Sequence, residues 1–190
     1  MKIVGIVSEY NPFHNGHAYQ IEHTKEILNA DGIIAIMSGQ FVQRGAPAIY
    51  DKWTRAEMAV ASGANLVLEL PTYYATSSAE AFAYGAVKLL NATGVVTHLS
   101  FGSEIDDLER LKAIAALLSD ESEALKAELS AYMEQGNTFP RARELALKSL
   151  YPELLKNFDI NQSNAILVLE YLKALNRLKS NIEPFVFKRR

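Results

Sequence analysis

Four short apolar runs, at residues 2–7, 32–37, 65–70 and 95–101, recur through the first half of the chain. Continuous runs rich in Ile, Val and Leu mark strands covered on both faces, as in parallel sheets. The stretches between them, 16–29, 51–62 and 78–91, carry apolar positions at helical spacing. Ser77-Ser78-Ala79-Glu80 supplies a helix-start signal for the third. Strand and helix alternate, which predicts a doubly wound parallel sheet joined by right-handed crossovers.

The pattern changes after Glu104. Residues 106–118, 121–135, 139–150 and 164–178 read as helices, punctuated by Gly136-Asn137 and Pro152, and 184–188 reads as a last strand. The expected fold is therefore α/β and Rossmann-like, with about five parallel strands and added C-terminal helices. Residues 1–190 form one nucleotide-binding domain with a helical insertion at about 106–180. The chain stops at Lys188-Arg189-Arg190 without a turn or cap signal, so it is expected to be part of a larger protein.

Composition narrows the chemistry. The chain is 49% hydrophobic and 22% charged, ordinary for a globular domain. Its formal charge of -3 is not the basic footprint of a nucleic-acid binder, although a local patch remains open. With no cysteine, disulfides, thiolate nucleophiles and cysteine-ligated zinc are excluded for these residues. The first apolar run is too short for a secretory signal, and no run approaches the ~18 residues of a membrane span. The cytoplasm is the expected compartment.

The segment Glu9-Tyr10-Asn11-Pro12-Phe13-His14-Asn15-Gly16-His17 follows the first strand directly. Ligands of open α/β sheets sit beyond the carboxyl ends of strands. Asn11-Pro12 favours an extended approach, Asn15 is a candidate helix cap, and Gly16 permits close approach to the backbone. The next helix then offers free N–H groups and a positive dipole to an anion. His14 and His17 are three residues apart and share a face on the first turn. Two imidazoles there can donate hydrogen bonds to phosphate oxygens without a metal. The plainer alternatives are half a metal site or a surface pair.

After the second strand, Ser38, Gly39 and Arg44 are candidate phosphate or acetate contacts, Arg44 for its fixed fork of donors. Asp51, Lys52 and Arg55 read as a solvated helix start, and Trp53 as packing. His23 and His98 read as structural. The aromatic pair Tyr73-Tyr74 fits a pocket wall or a helix entry equally well.

His14-Asn15-Gly16-His17 resembles the His-x-Gly-His signature of the nucleotidylyltransferase superfamily. The likeness is closer to one family within it. Glu9 to His17, Met37-Ser38-Gly39-Gln40-Phe41-Val42-Gln43-Arg44-Gly45, Glu69-Leu70-Pro71 and Phe101-Gly102-Ser103-Glu104 together resemble the N-terminal part of the bacterial tRNA(Met) cytidine acetate ligases. That resemblance implies ATP contacts at Val7, Ser8, Glu9, Tyr10, Asn11, Pro12, Phe13, His14, Asn15, Gly16, His17, Ala18, Tyr19 and Gln20, and at Gly102, Asn164 and Arg189. It casts His14 and His17 as catalytic. Asn164 is also expected to open its helix as a cap, and a second Asn of the family pattern is Ala165 here.

The resemblance further implies a reaction. ATP and acetate give acetyl-adenylate and pyrophosphate, and the acetyl group passes to N4 of the wobble cytidine of elongator tRNA(Met). Magnesium is expected as a companion of ATP, with no coenzyme A and no zinc. The family pattern runs on past Arg190 into phosphate-contacting and tRNA-engaging segments, so this chain is expected to bind ATP and to acetylate tRNA poorly by itself. Two rival readings stand: an adenylyltransferase acting on a phosphorylated cofactor precursor, and a non-catalytic nucleotide-binding module.

Overall fold

The computed structural model describes residues 1–188. The first half alternates as expected: β1 (Ile3–Ser8), α1 (Asn15–Leu28), β2 (Gly32–Ser38), α2 (Lys52–Ala61) and β3 (Leu66–Leu70). A short helix α3 (Thr72–Ala75) precedes α4 (Ala79–Ala92), β4 (His98–Ser103) and α5 (Leu108–Ser119). Then follow α6 (Glu123–Glu134), α7 (Phe139–Leu150), α8 (Ser163–Arg177) and β5 (Glu183–Lys188). The sheet is parallel throughout, in the order β3-β2-β1-β4-β5. This is the expected α/β architecture.

Alternation along β2 explains why its run is apolar without a break. Ile33, Ala35 and Met37 face one layer, with Ile21 of α1 and Ala59 of α2. Ile34 and Ile36 face the other, with Phe82 and Leu90 of α4 and residues of α5 to α8. All seven β2 residues are buried. Strand β3 departs from the expectation of two covered faces, because it is an edge strand of the sheet and Leu66 is exposed. The fourth apolar run is trimmed as well: residues 95–97 lead in, and the ladder begins at His98.

Helix starts follow side-chain chemistry, with two shifts from the sequence expectation. Ser78 caps α4 through Ala81 N, as its sequence signal indicated. Helix α1 is capped by His14 and not by Asn15, which is its first helical residue. Helix α8 begins at Ser163, so Asn164 lies inside the first turn and is not its cap.

Candidate nucleotide site

Strand order reverses at β1, with β2 on one side and β4 on the other, so the loops leaving β1 and β4 diverge and open a crevice. A cavity of about 880 Å³ lies there, between the N-terminus of α1, the end of β4 and one face of α8.

Two hydrogen bonds shape its floor. The Gly16 backbone N–H donates to His14 Nδ1 at 3.1 Å, and the His14 backbone N–H donates to His17 Nδ1 at 3.2 Å. Both donors are among those a helix N-terminus leaves without an intrahelical partner. A ring nitrogen that accepts carries no proton, so in each neutral imidazole the hydrogen sits on Nε2. Both rings sit at the positive end of the α1 dipole, where an imidazole N–H suits an anion. The two rings stack, with centroids 3.7 Å apart and planes 21° from parallel. A Cβ on residue 16 would lie 3.0 Å from His14 Cε1. Glycine at this position therefore makes room for the folded-back imidazole.

Tyr10 fixes the loop from below. Its φ of 48° is a left-handed value rarely adopted by a bulky residue. The ring is buried among Ile6, Ile21 and Met37 and meets the His17 ring edge-on at 4.9 Å. Burial raises the phenol pKa well above its ordinary value. The Asn11–Pro12 peptide bond is cis. Asn11 Oδ1 accepts from Ile49 N at 2.7 Å, and Glu9 Oε1 accepts from Gln43 N at 2.6 Å, so the second loop is fastened to the first.

Most of the expected contacts converge on this cavity. Val7, Ser8, Glu9, Tyr10, Asn11 and Pro12 line it, as do His14, Asn15, Gly16, His17, Tyr19, Gln20, Arg44, Gly102 and Asn164. Phe13 and Ala18 do not line it; Phe13 packs on the His17 ring at 5.5 Å. Neither Ser38 nor Gly39 reaches the cavity. Ser38 is fully buried, and the Glu69 carboxylate covers Gly39. Arg189 lies outside the described residues. Among the described residues no cluster of three or more His, Asp or Glu has the arrangement of a metal site.

Two sequence expectations are corrected nearby. Arg55 is wholly buried and not part of a solvated face, because its guanidinium donates to four main-chain carbonyls. Trp53 is 70% exposed and packs little; Lys52 sits over its ring. The cavity's apolar wall was also missed: Phe82, Phe101, Leu167, Val168, Tyr171 and Phe187. The signal for part of it was available, since residues 164, 167, 168 and 171 form one stripe of α8. Asn164 opens that stripe, and its amide donates to Glu104 Oε1 at 3.3 Å.

A doubly wound sheet with paired imidazoles at the first helix N-terminus, beside the strand-order reversal, defines a nucleotidylyltransferase-type site. The family model described as HIGH Nucleotidyl Transferase matches residues 1–190, and the chain belongs to that family. It is 50% identical to a tRNA(Met) cytidine acetate ligase of Clostridium tetani over its whole length, covering 48% of that protein. The corresponding ligase of Thermoanaerobacter sp. (strain X514) is also 50% identical, with 47% of it covered. The crystal structure of Thermotoga maritima TmcAL bound with alpha-thio ATP superposes with a TM-score of 0.92 at 43% identity; all of this chain and 47% of that one are covered. The chain thus spans about half the length of the curated relatives it matches.

Proposed function

We propose that this chain is the ATP-binding part of a ligase that activates acetate as acetyl-adenylate and transfers the acetyl group to N4 of the wobble cytidine in elongator tRNA(Met). The observation that carries the nucleotide half is the pair of His14–Gly16–His17 capping bonds, which use Nδ1 of both rings as acceptors at the start of α1. The relatives' names and the ATP analogue held by TmcAL support the rest.

In the first step an acetate oxygen attacks the α-phosphorus. The bond from that phosphorus to the β-bridging oxygen breaks, and pyrophosphate leaves with the electron pair. Negative charge grows on the phosphate oxygens as it does so. His14 and His17 donate to those oxygens, and the α1 dipole adds to the stabilisation. Arg44 meets phosphate or acetate from the second loop. Gly102 and Asn164 bound the nucleotide from β4 and α8, with Arg189 a further ATP contact. In the second step the cytidine N4 attacks the acetyl carbonyl, its C–O bond to AMP breaks, and N4 loses a proton. Magnesium accompanies the ATP phosphates; coenzyme A and zinc have no part in the scheme.

With 22 acidic residues against 19 Lys and Arg, the chain has no net positive charge to draw RNA phosphates, so tRNA affinity is assigned to the portion of the relatives that it does not cover. The cytoplasm, where tRNA and ATP meet, is the assigned compartment; no helix among the described residues is long and apolar enough to cross a membrane.

Exchange of labelled pyrophosphate into ATP tests the proposal. Exchange that requires acetate and disappears in His14→Ala or His17→Ala is the expected result. Exchange that ignores acetate but responds to a phosphorylated precursor makes the protein an adenylyltransferase. ATP binding with no exchange under any condition makes it a binding module.

A further inference from the structure

The structure assigns Arg55 as a positioning residue that holds the Arg44 hairpin over the first loop; this rests on the nucleotide reading of the cavity. Arg55 is 0% exposed, and its hydrogen bonds among the described residues all go to main-chain carbonyls. Its Nη1 donates to Glu9 O at 2.6 Å and to Ser38 O at 3.0 Å, Nε donates to Tyr50 O at 3.0 Å, and Nη2 donates to Gly39 O. The four carbonyls come from three segments: the exit of β1, the exit of β2 and the entry of α2. One planar fork therefore ties the roots of the two loops that wall the cavity.

Between those roots the second loop is a small hairpin. Val42 N donates to Ala46 O at 3.0 Å, Gly45 N to Val42 O at 2.8 Å, and Ala48 N to Gln40 O at 2.9 Å. Gly45, at φ 74°, makes the reversal that lies next to Arg44. Arg44 and Gln43 line the cavity, whereas Arg55 does not. The path from Arg55 to the cavity is short: it holds the Glu9 carbonyl, the Glu9 carboxylate holds Gln43 N, and Arg44 follows Gln43. Burial lowers the Arg55 pKa, while Glu9 first, then Asp51 and Glu69, oppose that shift. A guanidinium retains its proton under such opposing effects.

A lysine keeps the charge but offers one ammonium in place of a planar fork, so it cannot reach carbonyls in three segments at once. Arg55→Lys and Arg44→Ala are each expected to weaken ATP binding about tenfold, the scale of a lost charge-assisted hydrogen bond. Because Arg55 acts through Arg44, the double variant is expected to bind like Arg44→Ala alone. A loss near a hundredfold, the product of the two, overturns the assignment, since independent sites add. So does an Arg44→Ala variant that binds ATP as the wild type does.

Hydrogen exchange gives a second readout that needs no ligand. The Gln43 amide is expected to lose protection in Arg55→Lys while the Ile34 and Ile36 amides of β2 keep theirs. Unchanged protection at Gln43 overturns the assignment. A wild-type chain that binds no ATP instead refutes the nucleotide reading, and the exchange result still decides the role of Arg55. If Arg55→Lys does not fold, the wild-type protein decides: a Gln43 amide that exchanges as fast as an unstructured one shows that no tie passes from Arg55 through Glu9 to the hairpin, and overturns the assignment.

Discussion

His14 and His17 are bound to each other's backbone turn: the His14 N–H donates to the His17 ring, the His14 ring accepts from Gly16 N, and the two rings stack at 3.7 Å. The pair therefore does two jobs with separate atoms. Nδ1 completes the helix start, and Nε2 is the phosphate donor of the proposed reading. Substitutions can separate these jobs.

Asparagine is a favoured helix cap and accepts through its side-chain oxygen, but it has no equivalent of Nε2. His14→Asn is expected to keep the wild-type melting temperature within a degree or so, and to lower adenylation about 10²–10³-fold, the scale for one lost transition-state donor. His14→Ala loses both functions. It should show the same rate defect and, in addition, lose about 1 kcal/mol of stability, or roughly 2–4 °C in a domain of this size. Thermal melts beside pyrophosphate-exchange rates check the separation. A His14→Asn variant with full activity would show that Nε2 is idle.

Gly16→Ala sets two effects against each other. Alanine is the better helix former by about 1 kcal/mol. Its Cβ, however, would lie 3.0 Å from His14 Cε1 and 3.1 Å from Nδ1, so the imidazole must swing away from its capping position. The expected outcome is near-neutral stability with ATP affinity reduced about tenfold, since the His14 ring and its Nε2 move. Titration calorimetry with ATP together with a thermal melt decides it. Retained affinity would mean that the ring position in the free protein does not matter to the bound one.

The sheet, its strand sequence and the first loop were legible because each depends on local pattern: an apolar run, a helical spacing, a loop placed after a strand. Arg55 was not legible. On α2 alone it is one more cation near a helix start, and its burial depends on carbonyls at Glu9, Ser38, Gly39 and Tyr50 that only the folded chain brings together. The cap of α1 failed for a related reason. Asn15 has the better cap propensity, but the His14 ring can fold back where Gly16 leaves space, a matter of side-chain geometry and not of residue preference.

Glu144 gives a stability prediction away from the cavity. It is buried on α7, where it accepts from Arg141 Nη1 at 2.8 Å, from Asn161 Nδ2 at 2.9 Å and from Lys148. The hydrogen bond from Lys148, aided by Arg141, holds the carboxyl below its ordinary pKa against the opposing effect of burial. A folded-state pKa below the unfolded one adds stability that is complete above the unfolded value and is lost as pH falls through the folded one. Glu144→Gln should cost about 1–3 kcal/mol at pH 7, the range for a weakened buried hydrogen-bond network. The gap between variant and wild type should narrow below about pH 4.5, where the unfolded chain's Glu144 gains its proton before the folded one does, and close once the folded carboxyl is protonated too. Urea denaturation at several pH values measures the gap, and a constant gap would show that the charge contributes nothing.

Gly39 separates a packing role from a ligand role. A Cβ there would come 2.1 Å from Glu69 Oε1, the free end of a carboxylate that also holds Lys52 Nζ at 2.5 Å. That carboxylate is 39% exposed and can rotate outward, so Gly39→Ala should break the Lys52–Glu69 pair and little else. Exposed pairs contribute about 0.2–1 kcal/mol, which sets the expected cost. If packing is the whole reason for glycine, the substitution costs nothing further in a Glu69→Ala background, where the obstacle is gone. If a phosphate or acetate must approach the Gly39 backbone, binding is weak in Gly39→Ala and stays weak in the double variant, although the double variant is as stable as Glu69→Ala. Because Gly39 lies off the cavity wall and Arg55 already occupies its carbonyl, the expected result is wild-type ATP affinity in all three variants, with the double variant as stable as Glu69→Ala alone. Melting temperature and ATP affinity measured on the two single variants and the double variant distinguish the two outcomes.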